Sequence, residues 1–360
     1  MKEGWTISTI INSCTIEYGT RVVRKRDGGS IYSVYGGGGA TFYMNTYNRQ
    51  DCLVIARFAM SQKCTRFVQG KFFLNDSGLT LRSNNTTLLQ RFLDWQIIYN
   101  NDLIYSLGKG SAQKNLDMND FKNIKLKYPK SLSEQQRIVE ILDAEFAKID
   151  ALKANAEKSL QAAKDLFQSA LKQALEPKKN WECKTVAEIS ENLDYKRIPV
   201  TKKDREDGIY PYYGASGIVD YVKEYLFDED LLLVSEDGAN LIARSTPIAF
   251  SVSGKIWVNN HAHVLRFPTM DLQRFVEYFF ANYDLSDYIT GAAQPKLTQK
   301  ALNSIIIEYP SDKEELAAII SRLDNLDERC KALQENYRKT IALCEDLKQA
   351  LLRKAFNGEL

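Results

Sequence analysis

Two stretches of the chain carry apolar residues at alternating steps of four and three. In the later one, Ile319, Leu323, Leu326, Cys330, Leu333, Tyr337, Thr340, Cys344, Leu347 and Leu351 keep that spacing, the seam of a coiled-coil helix. The earlier one places Ile138, Leu142, Glu145, Ile149, Leu152, Ala156, Ser159, Ala163, Leu166 and Ala170 at the same steps, with Phe146, Leu160 and Phe167 beside the seam where Glu145 and Ser159 interrupt it. Each stretch follows a Tyr-Pro and opens on a capping signal, Ser133-x-x-Gln136 and Ser311-x-x-Glu314, since proline bars an earlier start and the serine takes orphan N–H groups. Pro177 ends the first helix and Gly358 caps the second. Between them, residues 1–130 and 181–310 hold short apolar runs (CLVIARFAM, KFFLN, DLLLVSED, IAFSVSGKIWV) broken by Gly, Asn, Asp and Pro. They read as strands and turns, with one helix near 86–100 and its counterpart near 271–283.

The pattern is written twice. YSLGKGSAQKNLDMNDFKNIKLKYP (105–129) matches YITGAAQPKLTQKALNSIIIEYP (288–310), GSIYSVYGGGG (29–39) matches DGIYPYYGASG (207–217), and GKFFLNDSGLTL (70–81) matches GKIWVNNHAHVL (254–265). Trp5 answers Trp181, and LFQSALKQAL (166–175) answers LKQALLRKAF (347–356). A repeat this long is two domains of one kind rather than a solenoid. The expected fold is α+β: two similar mixed α/β globular domains, 1–130 and 177–310, separated by two long antiparallel coiled-coil helices, 131–176 and 311–360. The first helix is roughly 65 Å long at 1.5 Å per residue. Short linkers tie one domain to its start and the other to its end. A second helix packed on the first then runs back antiparallel, bringing Leu360 near Met1 around a pseudo-two-fold axis.

Charge changes this picture in one respect. The net charge is +2, but residues 1–130 carry 18 Lys+Arg against 9 Asp+Glu, whereas 177–310 carry 15 against 19. The first domain suits a polyanion such as nucleic acid; the second must rely on a local patch. The six cysteines form no CxxC pair, which favours reduced structural thiols in a cytoplasmic protein. No signal peptide is evident at the start, and no apolar run reaches membrane-span length.

No phosphate-binding loop, dinucleotide fingerprint, amino-methyltransferase motif or carboxylate-x-Lys nuclease cluster is present, and two histidines leave little for nucleophile activation. A non-catalytic protein is expected. His261 and His263 share one strand face as a base-contacting pair or as ordinary satisfied side chains; metal binding lacks further ligands at suitable spacing. Asn259 and Asn260 can bond adenine edges bidentately. The glycine run from Gly36 after Tyr35, and Gly214 to Gly217 with Ser216 after Tyr212 and Tyr213, offer either plain turns or backbone approach to a phosphate. Asn75 lies in the turn 75–78. Lys109, Ser111 and Lys114, and likewise Gln294 and Lys296, sit in loops of small residues that are either plain helix-preceding loops or suited to close backbone approach with lysine on phosphate. Lys25 and Arg26 (with Arg21 and Arg24) and Lys196 and Arg197 (with Lys202, Lys203 and Arg205) are basic clusters that serve as phosphate contacts or as a solvated face.

The globular–helix–globular–helix order, GAAQPKLTQKALNSIIIEYP, SEQQRIVEILDAEFAKIDAL and the closing LKQALLRKAFNGEL resemble the specificity (S) subunit of Type I restriction-modification systems. The first repeat departs from that pattern, with KGSAQKNL where GAAQPKL stands in the second. The resemblance implies that each globular unit is a target recognition domain reading one half of a split double-stranded DNA sequence. It also implies that the helices set the spacer and dock methyltransferase (M) subunits, and that a restriction/translocase (R) subunit completes the complex in a prokaryotic cytoplasm. S-adenosylmethionine, ATP and Mg would then belong to the partner subunits, none being bound by this chain. A coiled-coil scaffold whose globular ends bind proteins, and the specificity chain of a related system with a fused methylase-nuclease partner, remain as alternatives.

Overall fold

The computed structural model describes residues 3–291 and 294–360. Met1, expected beside Leu360, and Ala292 and Ala293 of the second small-residue loop lie outside the described residues. The chain divides into two compact units: Met1–Glu157 with Arg338–Leu360, and Lys158–Tyr337. Each unit holds one globular domain and a length of both long helices, Leu132–Ala174 and Lys313–Asn357.

Each globular domain is closed by an antiparallel ribbon of its first and last strands. Trp5–Thr9 pairs with Lys125–Pro129, setting Trp5 opposite Pro129. Trp181–Thr185 pairs with Ile306–Pro310, setting Trp181 opposite Pro310. The tryptophan seals each closure, 6.5 Å edge-to-face from Phe92 in the first unit and 5.7 Å from Phe275 in the second.

Between the ribbon strands lies a β-sheet body. In the first unit six strands run in the order Cys14–Tyr18, Gly78–Ser83, Arg49–Ala56, Thr65–Leu74, Tyr32–Tyr35, Ala40–Met44. The second unit repeats this as two four-stranded sheets, because the counterpart of Thr65–Leu74 is split into Ala249–Val252 and Lys255–Val258. Gly70 and Gly254 occupy the same place in this strand at φ +74° and +76°, where a side chain would be strained. In both units one parallel pairing joins the hairpin to the sheet, Tyr35 with Leu74 and Tyr213 with Val258. The helices predicted near 86–100 and 271–283 are Gln90–Tyr99 and Met270–Asn282.

An acid on the long helix clamps each of these helices. Asp143 accepts from Arg91 at 2.7 Å and from the Trp95 indole at 2.8 Å. Asp324 accepts from Arg274 and from the Tyr278 hydroxyl, both at 2.6 Å. Gln135, fully buried, donates to the carbonyls of Thr87 and Pro129 and accepts from the Leu89 amide.

The long helices pair antiparallel within each unit. In the first, Ile138, Leu142 and Phe146 share a core with Leu352, Ala355 and Phe356, while Lys153 and Lys348 bond Glu345 and Asp150 across the pair. In the second, Leu171 shares a core with Leu316, Ile320 and Leu323. The predicted seam is half right. Leu142, Ile149, Ala156 and Ala163, and Leu323, Cys330 and Cys344, are buried. The intervening positions are displaced by one residue, so that Phe146, Leu160 and Phe167 turn inward. Leu152, Leu166, Leu333 and Leu347 are instead exposed. The helix starts are corrected similarly. Ser131, not Ser133, accepts the Glu134 amide, and Asp312, not Ser311, accepts that of Glu314. At the far end Gly358, φ +78°, donates to Ala355 and Glu359 to Lys354, the paired bonds of a Schellman stop. No helix among the described residues is long and apolar enough to cross a membrane.

Burial pushes the Asp94 carboxyl up to about 6 from 3.8, against the hydrogen bond it accepts from Gln90. Ionisation is therefore disfavoured in the folded state: the penalty is absent below pH 4 and grows as pH rises through 6. Asp94→Asn, which keeps the Gln90 acceptor, is expected to stabilise the first unit by about 2 kcal/mol at pH 8. Urea denaturation should show that gain disappear at pH 4.

Candidate nucleic-acid interface

Four loops converge at one end of the sheet in the first unit. Asn75 donates its amide to the Tyr35 carbonyl at 2.9 Å, and its side chain accepts from the Ser77 amide at 3.0 Å and from the Ser77 hydroxyl. Ser77 Oγ in turn accepts the Gly37 amide at 3.0 Å. A Cβ on Gly36 would fall 2.3 Å from Ser77 Oγ, and one on Gly37 2.3 Å from the Phe58 carbonyl. These glycines are therefore demanded by loop-on-loop packing. Because the Gly36 and Gly37 amides already bond Gly39 and Ser77, the phosphate-approach reading of these two amides is corrected.

Residues 57–60 form the fourth loop, which carries no glycine and drew no attention in the sequence. The Arg57 carbonyl accepts from Leu116 at 2.8 Å, and Met60 donates to the Lys114 carbonyl at 2.9 Å, stitching this loop to 109–114. Ala59 stands at φ +48°. The Arg57 guanidinium lies over the Tyr18 and Phe58 rings, 4.8 and 4.6 Å from their centroids. The Lys114 ammonium lies 4.2 Å over Tyr105. Arg66 fastens the glycine loop by donating to the Gly37 carbonyl at 3.0 Å. Gly19 must lack a Cβ because the Asn75 carbonyl stands 1.8 Å from where one would sit. That contact brings the exposed run Arg21, Arg24, Lys25 and Arg26 out beside the turn, with Arg26 paired to Asp27 at 2.8 Å. Tyr35 packs on Phe72 at 5.4 Å, Ser111 is exposed, and Lys109 bonds Asp117 at 2.5 Å.

The second unit builds the same four-loop site. Asn259 donates to the Tyr213 carbonyl at 3.1 Å and accepts the His261 amide at 2.8 Å, as Asn75 does with Tyr35 and Ser77. Leu297 donates to Glu236 at 2.8 Å and Gly238 to Pro295 at 3.0 Å. Gly238, φ +104°, takes the place of Ala59. The Ser235 hydroxyl bonds the Ala215 carbonyl of the hairpin loop. At the rim stand Asn260, His261, Ser216, Gln294 and Lys296, all exposed. His261 Nδ1 lies 2.9 Å from Asp237.

Five candidates belong to the scaffold instead. Tyr212 is buried, its hydroxyl bonded to the Val200 amide at 3.1 Å. Asn259 is buried at the root of its turn, and Tyr213 packs on Phe250 at 5.9 Å. His263 does not share an outward face with His261; it is buried, Nδ1 2.6 Å from Asp194 and Nε2 2.8 Å from the Leu297 carbonyl. Arg197 is drawn inward to Glu236 at 2.6 Å and Asp194 at 3.4 Å. Lys296 completes the cluster on Glu236 at 3.0 Å, while Lys196 stays exposed near Tyr195. Burial works to raise the Asp194 and Glu236 carboxyls. The bonds from His263 to Asp194, and from Arg197 and Lys296 to Glu236, outweigh it and hold both below the usual range. Asp194, Glu236 and His263 lie close enough together to suggest a cation site. However, both imidazole nitrogens face oxygen acceptors, and Arg197 and Lys296 already supply the positive charge. The donor set does not fit a metal.

The family model for the Type I restriction modification DNA specificity domain matches residues 30–162 and 178–343. A putative type I restriction enzyme specificity subunit of Haemophilus influenzae is 33% identical over 147 residues, 40% of this chain and 38% of that protein. The EcoprrI specificity subunit of Escherichia coli is 28% identical over 241 residues, 60% of this chain and 56% of that one. The chain thus aligns with about two fifths to three fifths of these curated relatives. A structure described as the basis of complex assembly and conformational transition of the type I R-M system contains a chain of the same fold. Its TM-score is 0.74 at 17% identity, covering 100% of this chain and 99% of that one. With both globular domains matched, each bearing the same four-loop cluster, the chain belongs to the Type I restriction-modification DNA specificity family.

Proposed function

We propose that this chain is the sequence-reading subunit of a Type I restriction-modification complex, each four-loop site contacting one half of a bipartite duplex target. One observation carries the reading. The two sites share their backbone hydrogen bonds, at Asn75 and Asn259 and at Leu116 and Leu297, yet differ in the side chains set on that frame, Glu236, Asp237 and His261 standing in the places of Arg57, Phe58 and Ser77. A common frame with different exposed side chains suits two readers of different base sequences. Asn260 and His261 are the base-edge candidates of the second unit. Arg57, Lys114 and the Arg21–Arg26 run are the backbone candidates of the first.

The long helices act as the ruler between half-sites and dock methyltransferase subunits. The chain itself is non-catalytic. Methyl transfer from S-adenosylmethionine, and ATP- and Mg-dependent translocation and cleavage by a restriction subunit, belong to partners in a prokaryotic cytoplasm.

Mapping methylated adenines genome-wide with and without the chain tests this reading: a bipartite motif should vanish on deletion. Asn260→Ala or His261→Ala should relax one half of that motif, each lost base contact costing about tenfold in discrimination. Equal loss in both halves would contradict two separate readers. A one-turn insertion after Ala156 should change the tolerated gap or abolish modification, and an unaltered gap would remove the ruler.

A further inference from the structure

The two loop sites carry opposite charge at one equivalent position. Ala56 opposite Gly78 corresponds to Ser235 opposite Ala262, so the next residues, Arg57 and Glu236, occupy one place in the frame, and Phe58 and Asp237 the next. Arg57 and Lys114 rest on aromatic rings and have no carboxylate partner among the described residues. A cation on a ring face keeps its charge and its donors. In the second unit the lysine of the recognition loop is bonded to Glu236, as is Arg197, and Asp237 is taken up by His261.

We infer that the two sites hold DNA by different physics. The first carries the salt-dependent backbone grip through Arg57 and Lys114. The second recognises its half-site through base-edge hydrogen bonds, with Glu236 as the positioning residue that neutralises Lys296 and keeps it from the phosphates. This rests on the DNA-reading function proposed above and assigns unequal electrostatic shares to its two halves.

Counterion release supplies a readout that a merely structural role would not move. The logarithm of affinity falls with the logarithm of salt by about 0.9 for each phosphate neutralised. The full chain is titrated with a random-sequence DNA duplex across a potassium chloride series. Arg57→Gln is expected to flatten the slope by about 0.9, and Lys114→Gln by a similar amount. Glu236→Gln is expected to steepen it by about 0.9 and tighten binding several-fold, because Lys296 is released. Adding Lys296→Gln to that variant should reverse the gain, whereas Lys296→Gln alone should move the slope by less than half as much as Arg57→Gln. A Lys296→Gln change as large as that of Arg57→Gln overturns the inference, as does a folded Glu236→Gln chain that binds no more tightly. Should Glu236→Gln fail to fold in a thermal melt, the single substitutions at Arg57 and Lys296 still decide. A wild-type chain without salt-dependent duplex binding would instead defeat the DNA-reading proposal itself.

Discussion

The ribbon that sets a tryptophan opposite a proline is the constraint from which the rest of each unit follows. It joins the first and last strands of a globular domain at the foot of a long helix, so the intervening sheet is held as a closed excursion of the chain. The tryptophan then packs on a phenylalanine of the helix that the long-helix aspartate clamps. In the first unit that same phenylalanine, Phe92, also meets Phe356 from the end of the second long helix, ring centroids 5.4 Å apart. One small apolar cluster thus binds together segments from the beginning, middle and end of the sequence. The helix pair depends on this docking. Its seam is thin, offering Ala156, Ala163, Cys330 and Cys344 beside Lys153 and Lys348, and long helices draw most of their stability from packed apolar faces.

The repeat separates what the fold needs from what recognition needs. Positions that recur do backbone work: the asparagines that root the turns, the glycines at positive φ in the long strand, the aspartates that clamp the helices. Positions at the rim of the loops differ. Two copies of a reader gain nothing from identical rims if their targets differ, but any change in the frame would cost both. Divergence is therefore concentrated where side chains meet solvent and backbone bonds are already satisfied.

Much of this was legible in the sequence. Long helices, paired domains and the matching loops all show in local signals of period, proline and glycine. What escaped was set by three-dimensional packing. The seam slipped by one residue at alternate positions: Leu152 and Leu347 outrank Lys153 and Lys348 by hydrophobicity, yet the helices bury those lysine stems, and Phe167 and Gln334 take the inward places beside Leu166 and Leu333. The caps were assigned two places late in the first helix and one place early in the second, since several polar residues follow each Tyr-Pro. Strand alternation offers His263 as a base contact or as an ordinary satisfied side chain and cannot choose between them, because the acid that holds it, Asp194, lies 69 residues away in the sequence. The loop at 57–60 left no trace, as its one unusual residue, Ala59, is an alanine in a backbone conformation normally given to glycine.

Several acids of the second domain are engaged in internal pairing. Glu229 and Glu191 take Arg266, Asp220 takes Arg205, Glu206 takes Lys223, and Glu236 takes Arg197. Such pairing includes the cations nearest the loop site, Arg197 and Lys296, so contact there falls to neutral donors and acceptors. The basic first domain presents the opposite case: Arg57 and Lys114 are held on rings, and a phosphate can approach them without first breaking an ion pair. Under the proposed function, long-range attraction falls to one unit and discrimination to the other. On that proposal, such a division would keep a wrong half-site from being rescued by electrostatics alone, because the discriminating unit would be the one whose loop cations are already paired.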